Sequence, residues 1–437
     1  MQRLPMALAD TRFEELLQDL PIDLVASARE FKAFTRGRKI KTPLQLLRLV
    51  LLYCGLDQAL RTVAGNLTLL EERITDSSVQ GRLKACEAWI QALLPLLLPA
   101  PPRLPAGYRL VVVDGTAIEG PGAQGTWYRL HLRLELLTLR FVDIVVTDKH
   151  SGESLRHFTL GIGEIILADR GYCQPEALLE AQQAGAEWIV RWNSLMPLWM
   201  PAGDRVALAA ILAAVPDSQT AVTVPVVIGP ATGSARLECS LHAYRLSPDQ
   251  AEAARRRCRR QAQKKGKTLK ATTLYLAGWV VVVTTLNPTV WSAELVLGLY
   301  RFRWQVEVAI KRWKSLLDVA QLRAKEGSTL AQVWLHGKLL YALLLERRMR
   351  RAGDAWGYLD RPRHATWWRS WQLLKPALAA IIIGVAYWQS QQWPACIEVM
   401  QERRRRRQLQ RLPDSMLRLL QPLGGTRKVT SLLLLAP

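Results

Sequence analysis

The chain has 437 residues, of which 49% are hydrophobic and 22% are charged, so it is long enough for two to four domains and is not globally disordered. Lys and Arg number 59 against 37 Asp and Glu, which gives a formal net charge of +22. An excess of this size predicts a polyanionic partner, with DNA or RNA first. A solvated basic surface without such a partner is the plainer alternative.

Neither the apolar runs nor the cysteines indicate a membrane or secreted protein. The longest apolar run, residues 376–388, has 13 residues, fewer than the roughly 18 that span a bilayer, and predicts a buried helix. The N-terminal segment MQRLPMALADTRFEELL has acids where a signal peptide has an apolar core. Six scattered cysteines form no CxxC pair and indicate reduced thiols without a zinc site. We therefore expect a cytoplasmic protein with no membrane partner.

Residues 1–105 are predicted to be helical. One helix is indicated by apolar residues at helical spacing and ends at Gly55: Leu44, Leu47, Val50 and Leu51. A short helix over 57–64 follows, and a third runs from the N-cap Asp76 to Leu97. Basic residues precede these helices: Lys32, Arg36, Arg38, Lys39 and Lys41. The region fits a DNA-reading helix-turn-helix variant and, equally well, a plain helical bundle.

A Pro-rich stretch at 99–107 marks a boundary, beyond which the pattern changes to strands. Five strands are predicted, with a helix over 174–185 before the last: 109–114, 127–136, 141–146, 164–169 and 187–192. A three-strand meander followed by strand–helix–strand predicts an α/β layout with a mixed sheet. Residues 194–287 hold β-rich stretches around a basic helix (253–270) and indicate an inserted subdomain. A long helix begins at Ser292, and the remaining chain is predicted to be helical.

Two acids stand where predicted strands end, Asp114 in VVVDGT and Asp169 in ILADRGY. A carboxylate at the carboxyl end of a strand points into the crevice where α/β sheets bind ligands. Taken alone, each acid is more often a turn former or a helix cap.

The predicted helix over 297–317 presents one acid among several cations. At about 100° per residue, five side chains share an arc of about 80°: Tyr300, Arg303, Glu307, Lys311 and Lys314. A neighbouring arc of about 60° holds the apolar side chains that dock the helix: Leu299, Val306, Ile310, Trp313 and Leu317. The plain interpretation is a surface helix with ion pairs four residues apart. The functional one is a metal-dependent phosphodiester site, with the acid on the metal and the cations on phosphates.

Three carboxylates and few histidines favour a hard ion, Mg²⁺ or Mn²⁺, bound through oxygen. Two such ions can serve an in-line displacement at phosphorus. The sequence has no HxxxH or HxH pair and no GxxxxGK[ST] motif, which argues against a zinc hydrolase and an ATP-driven reaction.

The late helix also carries a family signature. Tyr300, Arg303, Glu307 and Lys314 reproduce the Y-x2-R-x3-E-x6-K pattern of bacterial DDE transposases of the insertion-sequence-four family. The segments VVVDGT, WYRLHLRLELLT and LGIGEIILADRGY resemble the family's other motifs. The resemblance spans about 105–345 and is weaker in both flanks.

The resemblance implies an α/β fold with an RNase H-like mixed-sheet catalytic core, a β-rich insertion and helical flanking domains. The acids are 55 and then 138 residues apart, and the longer gap fits family members that carry such an insertion. The expected division begins with a helical N-terminal DNA-binding domain (1–105), followed by the first part of the core (106–193) and the insertion (194–287). The second part of the core (288–345) and a helical C-terminal domain that pairs subunits (346–437) complete it.

By the same resemblance, the chain is expected to be a cut-and-paste transposase in the bacterial cytoplasm, at the nucleoid. Asp114, Asp169 and Glu307 would be catalytic and hold two Mg²⁺ ions, with Mn²⁺ as a substitute. The expected DNA-contacting residues are Tyr300, Arg303, Lys311, Lys314, Arg170 and Trp279. Trp279, 28 residues before Glu307, would stack on a base flipped from the transposon end, or else be an ordinary core residue.

The expected partners are double-stranded DNA, as inverted transposon ends and as target, and a second copy of the chain in a synaptic homodimer. Two other classes stay open: a different RNase H-like nuclease, such as a resolvase, and a non-catalytic DNA-binding regulator derived from a transposase. The complete signature speaks against the first, and the presence of all three acids speaks against the second.

Overall fold

A mixed eight-stranded sheet forms the centre of the protein, whose computed structural model describes residues 8–18, 20–100, 107–122, 125–229, 236–356 and 367–400. The strands are β1 (Arg109–Glu119), β2 (Thr126–Glu135), β3 (Arg140–Asp148), β4 (Glu164–Ala168), β5 (Glu187–Arg191), β6 (Ala221–Ile228), β7 (Leu237–Arg245) and β8 (Trp279–Thr284). Their order across the sheet is β3-β2-β1-β4-β5-β8-β7-β6. The predicted mixed-sheet α/β architecture is confirmed.

Helices cover both faces of this sheet. In chain order they are α1 (Leu8–Leu17), α2 (Leu24–Glu30), α3 (Pro43–Val50), α4 (Leu60–Leu70), α5 (Asp76–Lys84), α6 (Glu87–Leu97), α7 (Pro175–Gln183), α8 (Leu208–Ala213), α9 (Pro248–Lys264), α10 (Ala271–Leu276), α11 (Ala293–Arg301), α12 (Trp304–Leu317), α13 (Thr329–Trp356), α14 (Trp367–Ile383) and α15 (Trp393–Met400). Because successive strand residues face opposite ways, Val112 and Leu167 join the core on one face, while Val113 and Ile166 join the core on the other.

The three parallel strands β1, β4 and β5 lie side by side and fix the position of two acids. In the β1–β4 register, Val112 pairs with Leu167. Continuing that register by two residues brings Asp114 level with Asp169. Strand β1 runs past its predicted end at Asp114 to Glu119, because antiparallel pairing with β2 continues that far.

The predicted insertion, residues 194–287, extends the central sheet and does not form a separate one. Strand β8 pairs antiparallel with β5 and, on its other edge, with β7, which in turn pairs with β6. An unpaired strand edge leaves backbone groups without partners, and β7 satisfies those of β8. The basic helix α9 and the short α10 lie between β7 and β8 in sequence.

The N-terminal region holds six helices between residues 8 and 97 where the sequence predicted three. Helix α3 continues as a π-helical turn to Gly55, the predicted end. Thr75 takes the capping place expected of Asp76, because its hydroxyl accepts a hydrogen bond from the backbone N–H of Ser78. The third predicted helix is interrupted at residues 85–86, which separates α5 from α6.

The N-terminal helices share one core with α13. A Cβ built on Gly55 would lie 2.8 Å from the Tyr341 ring, and one on Gly337 would lie 2.6 Å from the Cys54 sulfur. The two glycines therefore permit a close approach of the π-helical turn to α13. The region predicted as a separate DNA-binding domain is thus anchored on a helix more than 230 residues further along the chain.

A buried charge network lies in the same contact. The Lys338 ammonium, 1% exposed, donates to Asp57 Oδ2 at 2.5 Å and to the Gly55 carbonyl at 3.2 Å. Trp334 Nε1 donates to the other Asp57 oxygen at 3.1 Å. Arg323 adds an ion pair of 3.4 Å to the same carboxylate. Asp57 thereby ties α13 to the loop that follows the π-helical turn.

The C-terminal helices pack against the N-terminal ones. Helix α14 buries Trp371, Leu378 and Ile382, whereas Leu373 is 78% exposed. The buried helix expected at 376–388 ends at Ile383 and is buried on one side only. Among the described residues, one helical stretch, 368–387, is long and apolar enough to cross a membrane by length and composition, and 22% of it is buried. A core helix that packs by one face passes the same test. Residues 401–437 of the predicted C-terminal domain lie outside the described residues.

Candidate active site

Asp114 lies within β1, and Asp169 directly follows the neighbouring parallel strand β4, so that the two acids are level with each other. Asp114 Oδ1 accepts a hydrogen bond of 2.8 Å from the Gly115 backbone N–H. Asp169 is the N-cap of a short 3-10 helix, Arg170–Tyr172, and its Oδ1 accepts a hydrogen bond from the Gly171 backbone N–H, also at 2.8 Å. Both acids therefore use one oxygen locally, as turn and cap formers do, and retain the other for a ligand.

The predicted single helix with the Y-R-E-K residues is two helices. Residues 302–303 form a turn between α11 and α12. Four of the five predicted docking residues are buried, namely Val306, Ile310, Trp313 and Leu317, and Leu299 is partly buried. The predicted docking stripe is therefore confirmed. The turn changes the other stripe, because Tyr300 now lies on α11 and is only 8% exposed.

Arg303 links Glu307, on helix α12, to Asp114 of β1. Glu307 lies in its first turn, and its side chain is 53% exposed. Arg303, just before the helix, forms an ion pair with Glu307, and its Nη1 lies 3.8 Å from Asp114 Oδ2. The guanidinium is thus the positive charge between an acid of β1 and an acid of α12.

Asp114 is the acid of this site whose ionisation is most affected by its surroundings. Burial raises the pKa of Asp114 to about 7, and the Asp169 and Glu153 carboxylates add to the rise. The Gly115 N–H and Arg303 act in the opposite direction. The raised pKa therefore comes mainly from burial, which Arg303 and the Gly115 N–H offset only in part.

The donor set fits a hard divalent cation in kind, because each acid offers carboxylate oxygens and the site holds no thiolate or imidazole ligand among the residues just described. Asp114, Asp169 and Glu307 are the residues that would hold it. In the described part of the chain, no three His, Cys, Asp or Glu side chains are already grouped closely enough to hold a metal ion. The Arg303 contacts account for one such separation, because the guanidinium stands between Asp114 and Glu307.

Tyr300 lies inside the site. Burial raises the pKa of its hydroxyl, while the Arg303 and Arg191 guanidinium groups lower it. Arg191, the last residue of β5, is within interaction distance of that hydroxyl and of Arg170. The sequence interpretation did not single out Arg191, although its place at the end of the third parallel strand, beside the two acids, was a usable signal.

The other predicted cations lie on the rim. Lys311 and Arg170 are exposed and Lys314 is half-buried. None of the three pairs with an acid among the residues the structure describes. Three unpaired cations beside an acidic centre form a surface suited to phosphate groups on either side of a cleaved bond.

A cavity of about 600 Å³ opens next to Asp169, between the sheet and α9. Its lining includes Arg170, Arg191, Trp192 and Trp279. Trp279 is 4% exposed, and the Arg245 guanidinium carbon lies 4.8 Å from the centre of its ring. The indole expected to stack on a flipped base is therefore largely packed in the core and has limited contact with the cavity, whereas Trp192 is half-buried.

Comparison with known proteins identifies the family. The model of the transposase DDE domain matches residues 105–343, which include Asp114, Asp169 and Glu307. The chain belongs to the DDE transposase family. The resemblance found in the sequence is confirmed, and the central sheet with its flanking helices is the RNase H-like core of such a domain.

Individual relatives extend the likeness beyond the DDE domain. The putative transposase InsL for insertion sequence element IS186A of Escherichia coli (strain K12) is 34% identical over 336 residues, 75% of this chain and 90% of the relative. The transposase for insertion sequence element IS421 of Escherichia coli is 35% identical over 337 residues, with the same coverage. The transposase for IS231D of Bacillus thuringiensis subsp. finitimus is 24% identical over 251 residues, about half of each chain.

Proposed function

We propose that this DDE transposase moves an insertion sequence by a cut-and-paste reaction. One observation carries the proposal: in a protein of this family, Arg303 links Glu307 to Asp114, and Asp114 lies level with Asp169 on the neighbouring parallel strand. Asp114 comes from β1, Asp169 follows β4, and Glu307 arrives on α12. The rim of unpaired cations supports DNA as the substrate.

Asp114, Asp169 and Glu307 would hold two Mg²⁺ ions, and Mn²⁺ would serve in their place. Such ions stabilise charge on the attacking, bridging and leaving oxygens during displacement at phosphorus. Arg303 neutralises Asp114 and Glu307 in their absence, and we expect it to turn toward a DNA phosphate when DNA is bound. Tyr300, Lys311, Lys314 and Arg170 then orient the scissile strand through its phosphate oxygens.

In the proposed sequence, water first cleaves a phosphodiester at the transposon end and leaves a 3′-OH. That hydroxyl attacks the opposite strand and forms a hairpin, with loss of the flanking strand. A second water opens the hairpin, and the 3′-OH released then attacks a phosphodiester of target DNA. Every step is the same in-line displacement, so one set of acids serves all of them.

Two basic surfaces outside the acid centre would hold the inverted ends. Helix α9 and the loop after it present exposed cations, of which few are neutralised, because Glu252 is shared by three arginines. A second surface is a cleft of about 730 Å³ in the N-terminal region, whose lining includes Arg36, Arg38 and Arg82. The exposed cations of the first surface are Arg256, Arg257, Arg259, Arg260, Lys264, Lys265, Lys267 and Lys270.

Two transposon ends must be processed together, so we propose that the chain acts as a homodimer on DNA, with the C-terminal helices in the contact. The exposed apolar residues of α14 and α15 support this placement: Leu373, Trp393, Ile397 and Met400.

The proposed reaction is tested by incubating the protein with DNA that carries the inverted ends flanking its gene, with Mg²⁺ and a target plasmid. We expect hairpin-ended intermediates and joined products. Cutting without joining would indicate another RNase H-like nuclease, and binding without cutting would indicate a regulator. Either result would contradict the cut-and-paste proposal.

Trp279→Ala is expected to spare the first nick and slow hairpin formation by about 5- to 150-fold. The hairpin requires a tight bend, which becomes easier when one base leaves the stack, and an aromatic partner for that base contributes about 1–3 kcal/mol. Single-turnover assays on prenicked DNA measure this step. Trp192→Ala, on the same cavity, shows which indole carries the stacking.

An abasic site in place of the flipped nucleotide is expected to rescue Trp279→Ala in part, because no base then needs unstacking. A folded Trp279→Ala protein with normal hairpin rates would contradict the stacking role. Loss of DNA binding and every chemical step together would instead assign Trp279 to the core, in keeping with its 4% exposure.

A further inference from the structure

A fourth carboxylate, that of Glu153, lies close enough to Asp114 and Asp169 to interact electrostatically with each. Glu153 is on the loop that joins β3 to a 3-10 turn at Leu155–His157. Its Oε1 is 3.0 Å from where a Cβ on Gly115 would be, and its Oε2 is 2.0 Å from where a Cβ on Gly171 would be. Gly115 directly follows Asp114, and Gly171 is two residues after Asp169. The carboxylate therefore sits against the backbone beside both acids.

The two glycines provide the space for this carboxylate. Neither Gly115 nor Gly171 has a positive φ, so the backbone conformation does not require glycine at either place. At both places the nearest atoms to an added Cβ belong to the Glu153 side chain. The glycines of the DGT and DRGY segments are thus explained by the acid that they accommodate.

Backbone contacts hold the Glu153 loop in this position. The Gln174 side-chain amide donates to the Glu153 carbonyl at 2.6 Å and to the Gly171 carbonyl at 3.2 Å, which ties the loop to the turn after Asp169. The Glu153 carboxylate itself forms no hydrogen bond or ion pair with any described residue. Its nearest opposing charges are Arg129 and Arg303, which act on it only at longer range.

The buried Tyr172 hydroxyl, which has no hydrogen-bond partner among the described residues, interacts electrostatically with the same acids. The Tyr172 side chain is fully buried, and within the described chain its hydroxyl has no hydrogen-bond partner. Burial raises the pKa of this hydroxyl most, the Glu153, Asp114 and Asp169 carboxylates raise it further in that order, and Arg129 lowers it. A buried donor left unsatisfied costs free energy, so a ligand or bound water among these acids is the expected acceptor.

We propose that Glu153 is a fourth acid of the active site, which joins Asp114 and Asp169 in holding a divalent cation. The inference rests on the proposed cation-dependent function and adds a residue to it. Glu153 is a half-buried carboxylate that forms no ion pair with a described residue and interacts with two further acids, so a shared divalent cation would stabilise it. The Tyr172 hydroxyl would donate to an acid oxygen or to water held there.

Mn²⁺ binding, followed by electron paramagnetic resonance and calorimetry on the full chain, tests the proposal. Glu153→Gln keeps the shape of the side chain and removes its charge, and we expect a 10- to 100-fold weaker Mn²⁺ affinity with inverted-end binding unchanged. Glu176→Gln, an exposed acid on α7, is the matched control and should bind Mn²⁺ like the wild type. Thermal unfolding checks that each variant is folded.

Wild-type Mn²⁺ affinity in Glu153→Gln would overturn the inference, even if the wild type cleaves its DNA. The opposite pattern, weaker Mn²⁺ binding in the variant but a wild type that leaves the inverted ends intact, would overturn the proposed function alone. A wild type that binds no Mn²⁺ would contradict both.

A second variant tests the Glu153 carboxylate by changing a glycine that packs against it. Gly171→Ala would place a methyl group at the Glu153 Oε2 position, so we expect it to displace the carboxylate and weaken Mn²⁺ binding to a similar degree. The double variant Gly171→Ala/Glu153→Gln should then be no weaker than either single one, because both remove the same interaction. Additive losses would mean that Gly171 acts independently of Glu153, against the proposal.

Discussion

Replacing Asp114, Asp169 or Glu307 by the matching amide is expected to lower DNA cleavage by about 10³-fold or more, equivalent to about 4 kcal/mol of transition-state stabilisation. Each amide keeps the size of the side chain and removes the charge on which cation binding depends. Affinity for the inverted ends should stay within about twofold, because it comes mainly from cations and phosphates. Cleavage of labelled end DNA and a binding titration on the same samples measure the two effects.

Glu176→Gln serves as the control for the loss of one surface carboxylate and should cleave normally. Asp114→Asn also removes the partly buried acid that Arg303 approaches at 3.8 Å. If any one of the three variants joins its end to target DNA at the normal rate, that residue does not belong to the catalytic set.

Lys338→Met is expected to lower the free energy of unfolding by about 3–5 kcal/mol, the usual cost of removing one partner from a buried ion pair. The ammonium is 1% exposed and satisfies both Asp57 and the Gly55 carbonyl. Methionine fills the space but leaves both acceptors without this donor. Arg323 still pairs with Asp57, so the loss should fall toward the lower end of the range. Denaturant unfolding followed by tryptophan fluorescence measures it.

The double variant Asp57→Asn/Lys338→Met should recover part of the loss, because no buried charge is then left unpaired. Asparagine suits the position, since Asp57 has a φ of 55° and asparagine tolerates the left-handed region. A Lys338→Met protein as stable as the wild type would show that the pair contributes nothing net, as some buried pairs do when apolar residues replace them.

The strands were predictable from sequence because a buried strand is an apolar run, as in RLVVVD, although β1 continues past Asp114 to Glu119. The three acids also come from local signals, two from the segments that contain the predicted strands and Glu307 from the spacing along a helix, and their role stays a prediction. Glu153 was not predictable in this way, because it follows no strand directly and joins the site only through the packing of its loop against Gly115 and Gly171. The turn at residues 302–303 was also missed, because the apolar spacing continues through it.

The pairing between strands that are distant in sequence could not be predicted from the sequence either. Alternation identified the strands of the insertion, but it does not say which edge they join, so their continuation of the central sheet through β8 became visible only in the fold. Likewise, the helical spacing of residues 1–105 gave no sign that these helices share a core with α13.

That shared core sets the order in which the molecule can be completed during synthesis. The first six helices leave the ribosome with apolar faces whose partner, α13, is translated more than 230 residues later. Until then the nascent chain must keep those faces covered by transient contacts or by chaperones, because contacts this distant in sequence form late. A product truncated before α12 would lack Glu307 as well as this partner. We therefore expect an incomplete chain to be unstable and, on the proposed role of Glu307, unable to cut DNA.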